Sequence, residues 1–170
     1  MKALHFLLFT IALVTANTQA SETKWSLESD PIAFAMQGFS LHGLYEIDAW
    51  RFDLGVFGLT LPESMLPETE QKMSFQGMGL KVDHFFTTGW FAGIQSSINQ
   101  IESQPINTNA TRKNLAYETS IRTGYRWFAS DHFYIQPWIS LGYQDFLSKE
   151  NAPELSKVAL FPTVHLGWSF

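Results

Sequence analysis

The last sixteen residues of the chain, from Leu155 to Phe170, alternate apolar side chains with others and end on an aromatic residue. A period of two predicts a β-strand, because successive side chains of a strand point to opposite faces of the sheet. A soluble sheet turns its apolar face toward a core, whereas this segment stays apolar on one face up to its final residue. That face carries Val158, Leu160, Pro162, Val164, Leu166, Trp168 and Phe170. The pattern favours a strand whose apolar face meets lipid.

The first twenty residues have the layout of a secretory signal peptide. Met1 and Lys2 form a basic start, residues 3–14 are apolar, and Thr18-Gln19-Ala20 is a small-residue exit. The apolar run is shorter than the roughly 20 residues that a spanning helix requires. An uncleaved amphipathic anchor fits poorly, because the segment has no charged face. We therefore expect cleavage after Ala20, with residues 21–170 forming one domain that has no transmembrane helix.

The composition excludes several classes of protein. The chain has 11 Lys and Arg against 16 Asp and Glu, a net charge of −5 that argues against a nucleic-acid partner, which requires basic patches. It has no cysteine, so a disulfide framework, a lipidated cysteine and a thiolate metal site are all excluded. Aromatic residues at 15% and hydrophobic residues at 45% suit a barrel with an apolar outer band and a polar interior. We expect a monomer without a cofactor.

Amphipathic segments recur upstream and predict an up-and-down antiparallel barrel. Short connectors at 45–47, 87–89 and 129–131 alternate with long polar ones at 61–73, 102–112 and 147–155, as periplasmic turns alternate with outer loops. If both termini lie on the periplasmic side, the number of strands is even. We therefore expect eight strands, the first a short one at 23–28 joined through Ser29-Asp30-Pro31, although an N-terminal plug or a periplasmic tail is the alternative. The other seven are predicted at 32–44, 48–60, 74–87, 90–101, 113–128, 132–146 and 156–170.

The two faces of the predicted strands differ in chemistry. Leu54 and Ile121 lie on apolar faces, while Arg51 and Arg122 lie on the opposite ones, so the apolar set is expected to face lipid and the charged set the lumen. A soluble barrel of the lipocalin type would invert this arrangement. Aromatic residues at the periplasmic ends predict one girdle at the membrane interface. Its expected members are Trp50, Phe85, Phe86, Trp90, Phe91, Tyr125, Trp127, Phe128, Phe133, Tyr134, Trp168 and Phe170.

With its signal, its strands of about a dozen residues and its ending Leu166-Gly167-Trp168-Ser169-Phe170, the chain resembles the small outer-membrane barrels of Gram-negative bacteria. That family includes structural and attachment proteins and lipid A enzymes, among them a palmitoyltransferase and a deacylase. The resemblance implies a place in the cell outer membrane, with its lipid and lipopolysaccharide as partners. It also implies that Trp168 and Phe170 form the signal read by the barrel assembly machinery.

Charged residues on interior positions of three strands predict a network inside the barrel. An eight-stranded barrel is just wide enough to be filled by side chains, and buried charges require partners. The expected members are Arg51, Asp53, Lys81, Asp83, Glu118, Arg122 and Arg126. We expect a salt-bridged plug, with a narrow gated polar conduit as the alternative.

Two prolines lie inside predicted strands on the lipid-facing side, although proline cannot donate a ladder hydrogen bond. If the final hairpin closes around 147–155, Pro137 lies near Val164 and Pro162 near Ile139. Both interruptions would then weaken the wall between the last two strands. This seam is similar in kind to the lateral openings that strand prolines flank in the lipid A palmitoyltransferase barrel. The alternative is a pair of β-bulges that set curvature.

Behind this seam the same pairing gathers a group of inward side chains that could carry chemistry or bind a ligand. The group comprises Gln136, Trp138, Ser140, Thr163 and His165. Ser140 or Thr163 would be the nucleophile and His165 the base, because a histidine beside a hydroxyl activates it for acyl transfer. Glu118 or Asp53 would be the orienting acid. The chain contains no Gly-x-Ser-x-Gly elbow and no His-x-Ser pair of the deacylase kind, so a hydrogen-bonded interior histidine is the plainer interpretation.

Other candidate sites are weaker. His84 and His132 each adjoin an aspartate, but neighbours in a strand point to opposite faces, which makes poor metal pairs. Acids in the loops could hold the divalent cations that bridge lipopolysaccharide, or simply be solvated. They are Glu63, Glu68, Glu70, Glu102, Glu150 and Glu154.

The leading hypothesis is a non-enzymatic barrel that is structural or interacts with envelope components through its outer loops. The second is a lipid A acyl hydrolase or acyltransferase acting at the Pro137/Pro162 seam. The third is a small pore or a carrier for hydrophobic solutes.

Overall fold

The computed structural model describes residues 23–86, 89–108, 110–147 and 152–170. Most of them belong to antiparallel strands. The strands are β1 (Thr23–Ser29), β2 (Phe39–Ile47), β3 (Trp50–Thr60), β4 (Glu70–Phe85), β5 (Trp90–Pro105), β6 (Arg112–Tyr125), β7 (Trp127–Phe128), β8 (Phe133–Phe146) and β9 (Val158–Ser169). A five-residue helix α1 (Pro31–Ala35) follows β1, and a 3₁₀ turn (Glu63–Met65) follows β3. The predicted signal peptide lies outside the described residues.

The strands close into a ring. Each strand from β1 to β5 pairs with the next, β6 and its short continuation β7 both pair with β8, β8 pairs with β9, and β9 pairs with β1. Because β6 and β7 keep one register against β8, they are two parts of one strand, and the ring has eight strands. The predicted all-β, up-and-down antiparallel barrel is confirmed. No helix in the described part of the chain is long and apolar enough to cross a membrane.

The alternation of faces follows the prediction. Leu54, Ile121 and Leu160 are exposed on the outside, whereas Arg51 and Arg122 are buried inside. The barrel therefore has an apolar exterior and an interior of mainly polar side chains, the reverse of the lipocalin arrangement. A small apolar cluster of Met73, Ile101 and Ala116 is also buried.

The predicted strand at 32–44 is wrong over its first part. Residues 31–35 form α1, in which Asp30 accepts a hydrogen bond of 2.8 Å from the Ile32 backbone N–H and Pro31 occupies the first turn. An aspartate N-cap followed by proline favours a helix start, because the proline has no N–H to leave unsatisfied. The chain turns at Gln37, whose φ is 55°, before β2 begins at Phe39.

The predicted turn at 45–47 is also wrong, because these residues extend β2 and pair with both β1 and β3. The turn lies instead at Asp48 and Ala49, and Asp48 has a φ of 54° that aspartate tolerates better than most residues. At the other end of the barrel, β4 begins four residues earlier than predicted and β5 ends four residues later. These strand ends are polar on both sides, so alternation does not mark them.

The expected aromatic girdle divides between the two faces. Trp50, Trp90, Trp127 and Trp168 are exposed on the outside as predicted. Other members face inward, since neighbours along a strand must point to opposite faces. Phe91 and Tyr134 are fully buried, and the Phe85 ring lies 4.9 Å from the Arg51 guanidinium carbon.

Candidate functional site

A buried layer of charged side chains crosses the half of the lumen that is nearer the end with the short turns, here called the short-turn end, with Arg51 of β3 at its centre. The Arg51 side chain is 0% exposed. Its Nη1 donates to Glu28 Oε1 at 2.8 Å and to Gln136 Oε1 at 2.7 Å, and its Nη2 donates to Asp83 Oδ2 at 2.6 Å. Asp83 is the direct cross-strand partner of Arg51, while Glu28 and Gln136 come from β1 and β8. One guanidinium therefore links four strands across the barrel.

Two further ion pairs join this layer. Lys81 and Asp53 are opposite each other on β4 and β3, and the Lys81 Nζ donates to Asp53 Oδ2 at 2.8 Å. The other Asp53 oxygen lies 2.9 Å from His42 Nδ1. Nearer the short-turn end, Arg126 Nη2 donates to Glu46 Oε1 at 2.6 Å. Pairing of this kind compensates the desolvation of buried charges.

Aromatic rings supply the remaining contacts of the buried cations. The guanidinium carbon of Arg126 lies 4.1 Å from the Phe85 ring centroid, and that of Arg122 lies 4.1 Å from Trp138 and 5.2 Å from Phe91. The Arg122 nitrogens make no hydrogen bond within the described residues, and the carboxylate oxygen nearest to Nε is 3.5 Å away, on Asp83. Stacking on ring faces is favourable for a guanidinium and strengthens when the pair is desolvated.

The structure brings six of the seven predicted network residues into this layer and leaves Glu118 apart. Glu118 Oε1 accepts a hydrogen bond of 3.4 Å from Gln95 Nε2, farther from the short-turn end. Sequence reasoning missed Glu28, Glu46 and His42. The alternation could have indicated all three, because each lies at an inward-facing position of β1 or β2. They were missed because β2 was predicted to begin too early and the two faces of β1 were not assigned.

His165 contacts a different acid from the two expected. Its Nδ1 lies 2.7 Å from Glu28 Oε2, because β1 is the neighbour of β9 in the closed ring. The other oxygen of Glu28 also accepts a hydrogen bond of 2.8 Å from the Tyr134 hydroxyl. Glu28 is therefore the acceptor shared by Arg51, Tyr134 and His165, and His165 belongs to the ion-pair layer.

The two candidate nucleophiles do not bond to this histidine. Thr163 Oγ1 donates to Asp30 Oδ2 at 2.6 Å, and Ser140 Oγ has no hydrogen-bond partner among the described residues. Trp138 packs edge-on against His165, with the ring centroids 5.4 Å apart. Ser140, Thr163 and His165 thus form no hydrogen-bonded triad with an acid.

The predicted pairing of the last two strands is confirmed: Pro137 lies opposite Val164, and Pro162 opposite Ile139. The register runs without a shift from Phe133 to Tyr143, so the bulge alternative is wrong for this ladder.

The hydrogen bonds at the two ends of this ladder show which way each proline faces. Ser169 N–H donates to the His132 carbonyl at 2.9 Å, and Gln144 N–H donates to the Lys157 carbonyl at 2.8 Å. Even-numbered residues of β8 therefore bond toward β9, and odd-numbered residues bond away from it, because the donor and acceptor of one residue point to the same side. Pro137 faces β6 and β7, and Pro162 faces the β1 side. The expectation that both prolines interrupt the β8–β9 seam is wrong.

Each proline coincides with a gap on its own side. The β6–β8 ladder ends at Gly124 and resumes at Trp127, so Tyr125, which lies opposite Pro137, is not paired with β8 in the described part of the chain. On the other side, β1 pairs with β9 only from Ser26 to Ser29, so residues 158–165 lie beyond its end. Helix α1, which follows β1, contacts β9 and β2 there.

No group of three or more His, Asp or Glu residues in the described ranges is arranged to hold a metal ion. His84 packs against Trp50, and His132 stacks on Trp168, so both contact aromatic rings. Of the acids predicted to lie in loops, Glu70 and Glu102 lie in β4 and β5, because these strands are longer than predicted. Glu102 pairs with Lys113 at 2.6 Å, and Glu150 lies outside the described residues.

The fold is similar to two solved barrels. Neisserial surface protein A superposes with a TM-score of 0.50 at 12% identity, covering 89% of this chain and 98% of that one. The N-terminal β-barrel domain of Pseudomonas aeruginosa OprF superposes with a TM-score of 0.51 at 11% identity, covering 88% of this chain and 99% of that one. No protein-family model and no curated protein sequence matches the chain. The similarity shows that the fold is that of small outer-membrane barrels.

Proposed function

We propose that this protein is a small barrel of the outer membrane whose lumen is closed, and that it serves the envelope structurally or through its outer loops. The apolar exterior supports residence in a membrane, because lipid-facing and lumen-facing residues alternate along transmembrane strands. Closure of the ring supports it as well, since a spanning sheet can leave no lipid-exposed edge.

The observation that carries the closed lumen is the buried layer around Arg51. Its hydrogen bonds to Glu28, Asp83 and Gln136 connect strands on different sides of the barrel. An ion crossing this layer would have to separate charges that are already desolvated and paired, which is strongly unfavourable. The layer therefore favours a structural interior over a conduit or a carrier.

Planar-bilayer recording of the purified protein tests closure directly. We expect no discrete conductance steps from the wild-type protein. Steps that vanish when Arg122 or Lys81 is replaced would show that these side chains line a conducting path, and would contradict the proposal.

Cell fractionation and gel mobility test the location. We expect the protein in the outer-membrane fraction. The unboiled, folded protein should migrate differently on a gel from the boiled, unfolded protein. Recovery in the soluble periplasmic fraction without such a mobility shift would contradict residence in the membrane. Reading of Trp168 and Phe170 by the barrel assembly machinery stays a prediction, tested by the yield of inserted Phe170→Ala protein.

Mass spectrometry of lipid A tests the non-enzymatic role. We expect the same acyl pattern in cells with and without the protein, because neither Ser140 nor Thr163 bonds to His165. An acyl pattern that differs between cells with and without the protein would instead support acyl chemistry if a Ser140→Ala variant reproduced that difference only in part.

A further inference from the structure

A cavity of about 480 Å³ lies at the outer mouth of the barrel, at the end opposite the buried ion-pair layer. The start of β4, the end of β5 and the segment 152–154 enclose it. Its lining includes Glu68, Glu70, Pro105, Asn107, Arg112 and Glu154. A cavity of this size is in the range of small-molecule sites.

A β-bulge turns Glu70 into this cavity. The register between β4 and β5 shifts between Glu70 and Lys72, and Gln71 and Lys72 are both exposed. The extra residue changes the parity of the strand, so that Glu70 points inward where regular alternation from Met73 would point it outward. Glu70 is only 4% exposed.

The Glu70 carboxylate is incompletely satisfied. Its Oε2 is buried and has no hydrogen-bond partner among the described residues. A buried carboxylate oxygen without a donor is unfavourable, and the register shift between Glu70 and Lys72 turns this side chain toward the cavity. The cavity thus contains an acceptor that a ligand donor would satisfy.

The charges of the lining favour a cation as that ligand. Among the described lining residues, three glutamates face a single arginine, Arg112. A divalent metal is disfavoured, because no three acidic or histidine side chains in the described ranges are arranged to hold one. An ammonium group has three donors and can donate to a carboxylate, while Pro105, Ile106 and Pro153 offer apolar contact to an alkyl stem.

We propose that this cavity binds a primary alkylammonium group, with Glu70 Oε2 as the acceptor. Free polyamines and lysine side chains of peptides share this chemistry. The site does not rest on closure of the lumen, because it lies at the outer mouth.

Calorimetric titration of the refolded full-length protein in detergent tests the proposal. The probes are butylammonium and tetramethylammonium, at equal ionic strength. We expect butylammonium to bind at least about tenfold more tightly, because only it can donate a hydrogen bond to a carboxylate. Spermidine and a lysine-containing tripeptide, titrated in the same way, separate the two natural sources of the group.

The matched variants are Glu70→Gln and Glu102→Gln. Glu70→Gln should weaken butylammonium binding about tenfold or more, because it removes the charged acceptor. Glu102→Gln should leave binding unchanged, since Glu102 is at the same end of the barrel but pairs with Lys113. If Glu70→Gln fails to fold, the difference in affinity between the two ammonium ions for the wild-type protein still tests the proposal.

Three outcomes would overturn the proposal. Equal binding of the two ammonium ions would show charge screening without a built site. Undiminished butylammonium binding by Glu70→Gln would exclude Glu70 as the acceptor. Calcium binding that is tighter than that of any amine and is lost in Glu70→Gln would make this a metal site.

Discussion

The two edges of β9 are closed in different ways, although the same strand provides both. Toward β8, the ladder is continuous from Phe133 opposite Trp168 to Tyr143 opposite Val158. Toward β1, four residue pairs close only the part at the short-turn end, and the five-residue helix α1 contacts β9 beyond it. Each edge lies near a strand proline, yet only the β1 edge is incomplete.

The difference shows that the direction of a missing donor matters more than the presence of a proline. Pro137 and Pro162 both lie in the β8–β9 ladder. The alternation of ladder hydrogen bonds nevertheless turns the backbone nitrogen of each proline away from that ladder. The weak place in the wall lies where β1 ends. There, Thr163 Oγ1 donates to the Asp30 carboxylate and holds α1 against β9.

The largest effect is expected in the part of the β1 edge that is fully closed. Replacing Glu28 by alanine removes the acceptor shared by Arg51, Tyr134 and His165, and should lower the free energy of unfolding by about 3 kcal/mol or more, because it leaves buried groups unpaired. This free energy is measured by urea unfolding of the protein in lipid vesicles, followed by the loss of the folded band on a gel. Glu102→Ala is the control and should change this free energy by less than about 1 kcal/mol, as for an exposed pair. Equal effects of the two variants would show that the buried layer is not stabilising.

An intermediate effect is expected where α1 covers the outer part of the same edge. Asp30→Ala removes both the N-cap and the bond from Thr163, and should lower the free energy of unfolding by about 1–2 kcal/mol. Hydrogen exchange should accelerate at α1 and remain slow at Trp138 in the β8–β9 ladder. Thr163→Val removes only the second bond and should have the smaller effect. Faster exchange at Trp138 in Asp30→Ala would show that the two edges do not open independently.

The smallest effects are expected from the prolines, and their difference is informative. Pro137→Ala gives β8 an N–H that can reach Tyr125, so the gained bond and the lost rigidity should leave stability within about 0.5 kcal/mol of wild type. Pro162→Ala places a new N–H beyond the end of β1 and should lower the free energy of unfolding by about 1 kcal/mol. Paired urea unfolding of the two variants measures the difference. The reverse order would contradict the orientation derived from the ladder.

The sequence predicted the strands whose faces differ most in polarity. Arg51 and Asp53 alternate with Phe52 and Leu54, and such a contrast exists only when one side meets an apolar medium and the other does not. Residues 31–47 were predicted poorly. Pro31 and Asp30 were interpreted as a connection between strands, whereas together they begin a helix.

The sequence predicted which residues belong to the candidate site better than it predicted which of them bond to each other. The alternation placed Arg51, Lys81 and Asp83 inside, but it could not supply Glu28 as the common acceptor. Glu28 is far from each of its partners in the chain, and it reaches them only because β1 closes the ring between β2 and β9. Long-range contacts of this kind depend on the order of strands, which local periodicity does not contain.

Period-two alternation was enough to establish strands, an apolar outside and a polar inside, because these follow from local geometry and the cost of burying charge. The specific contacts depend instead on how the ring closes, on which neighbouring strand each residue's backbone groups bond to, and on where each strand ends. These features determined that His165 bonds to Glu28, that both prolines face away from the last seam, and that a bulge turns Glu70 into the outer mouth. Each depends on which residue lies opposite which, and that pairing exists only once the barrel is closed.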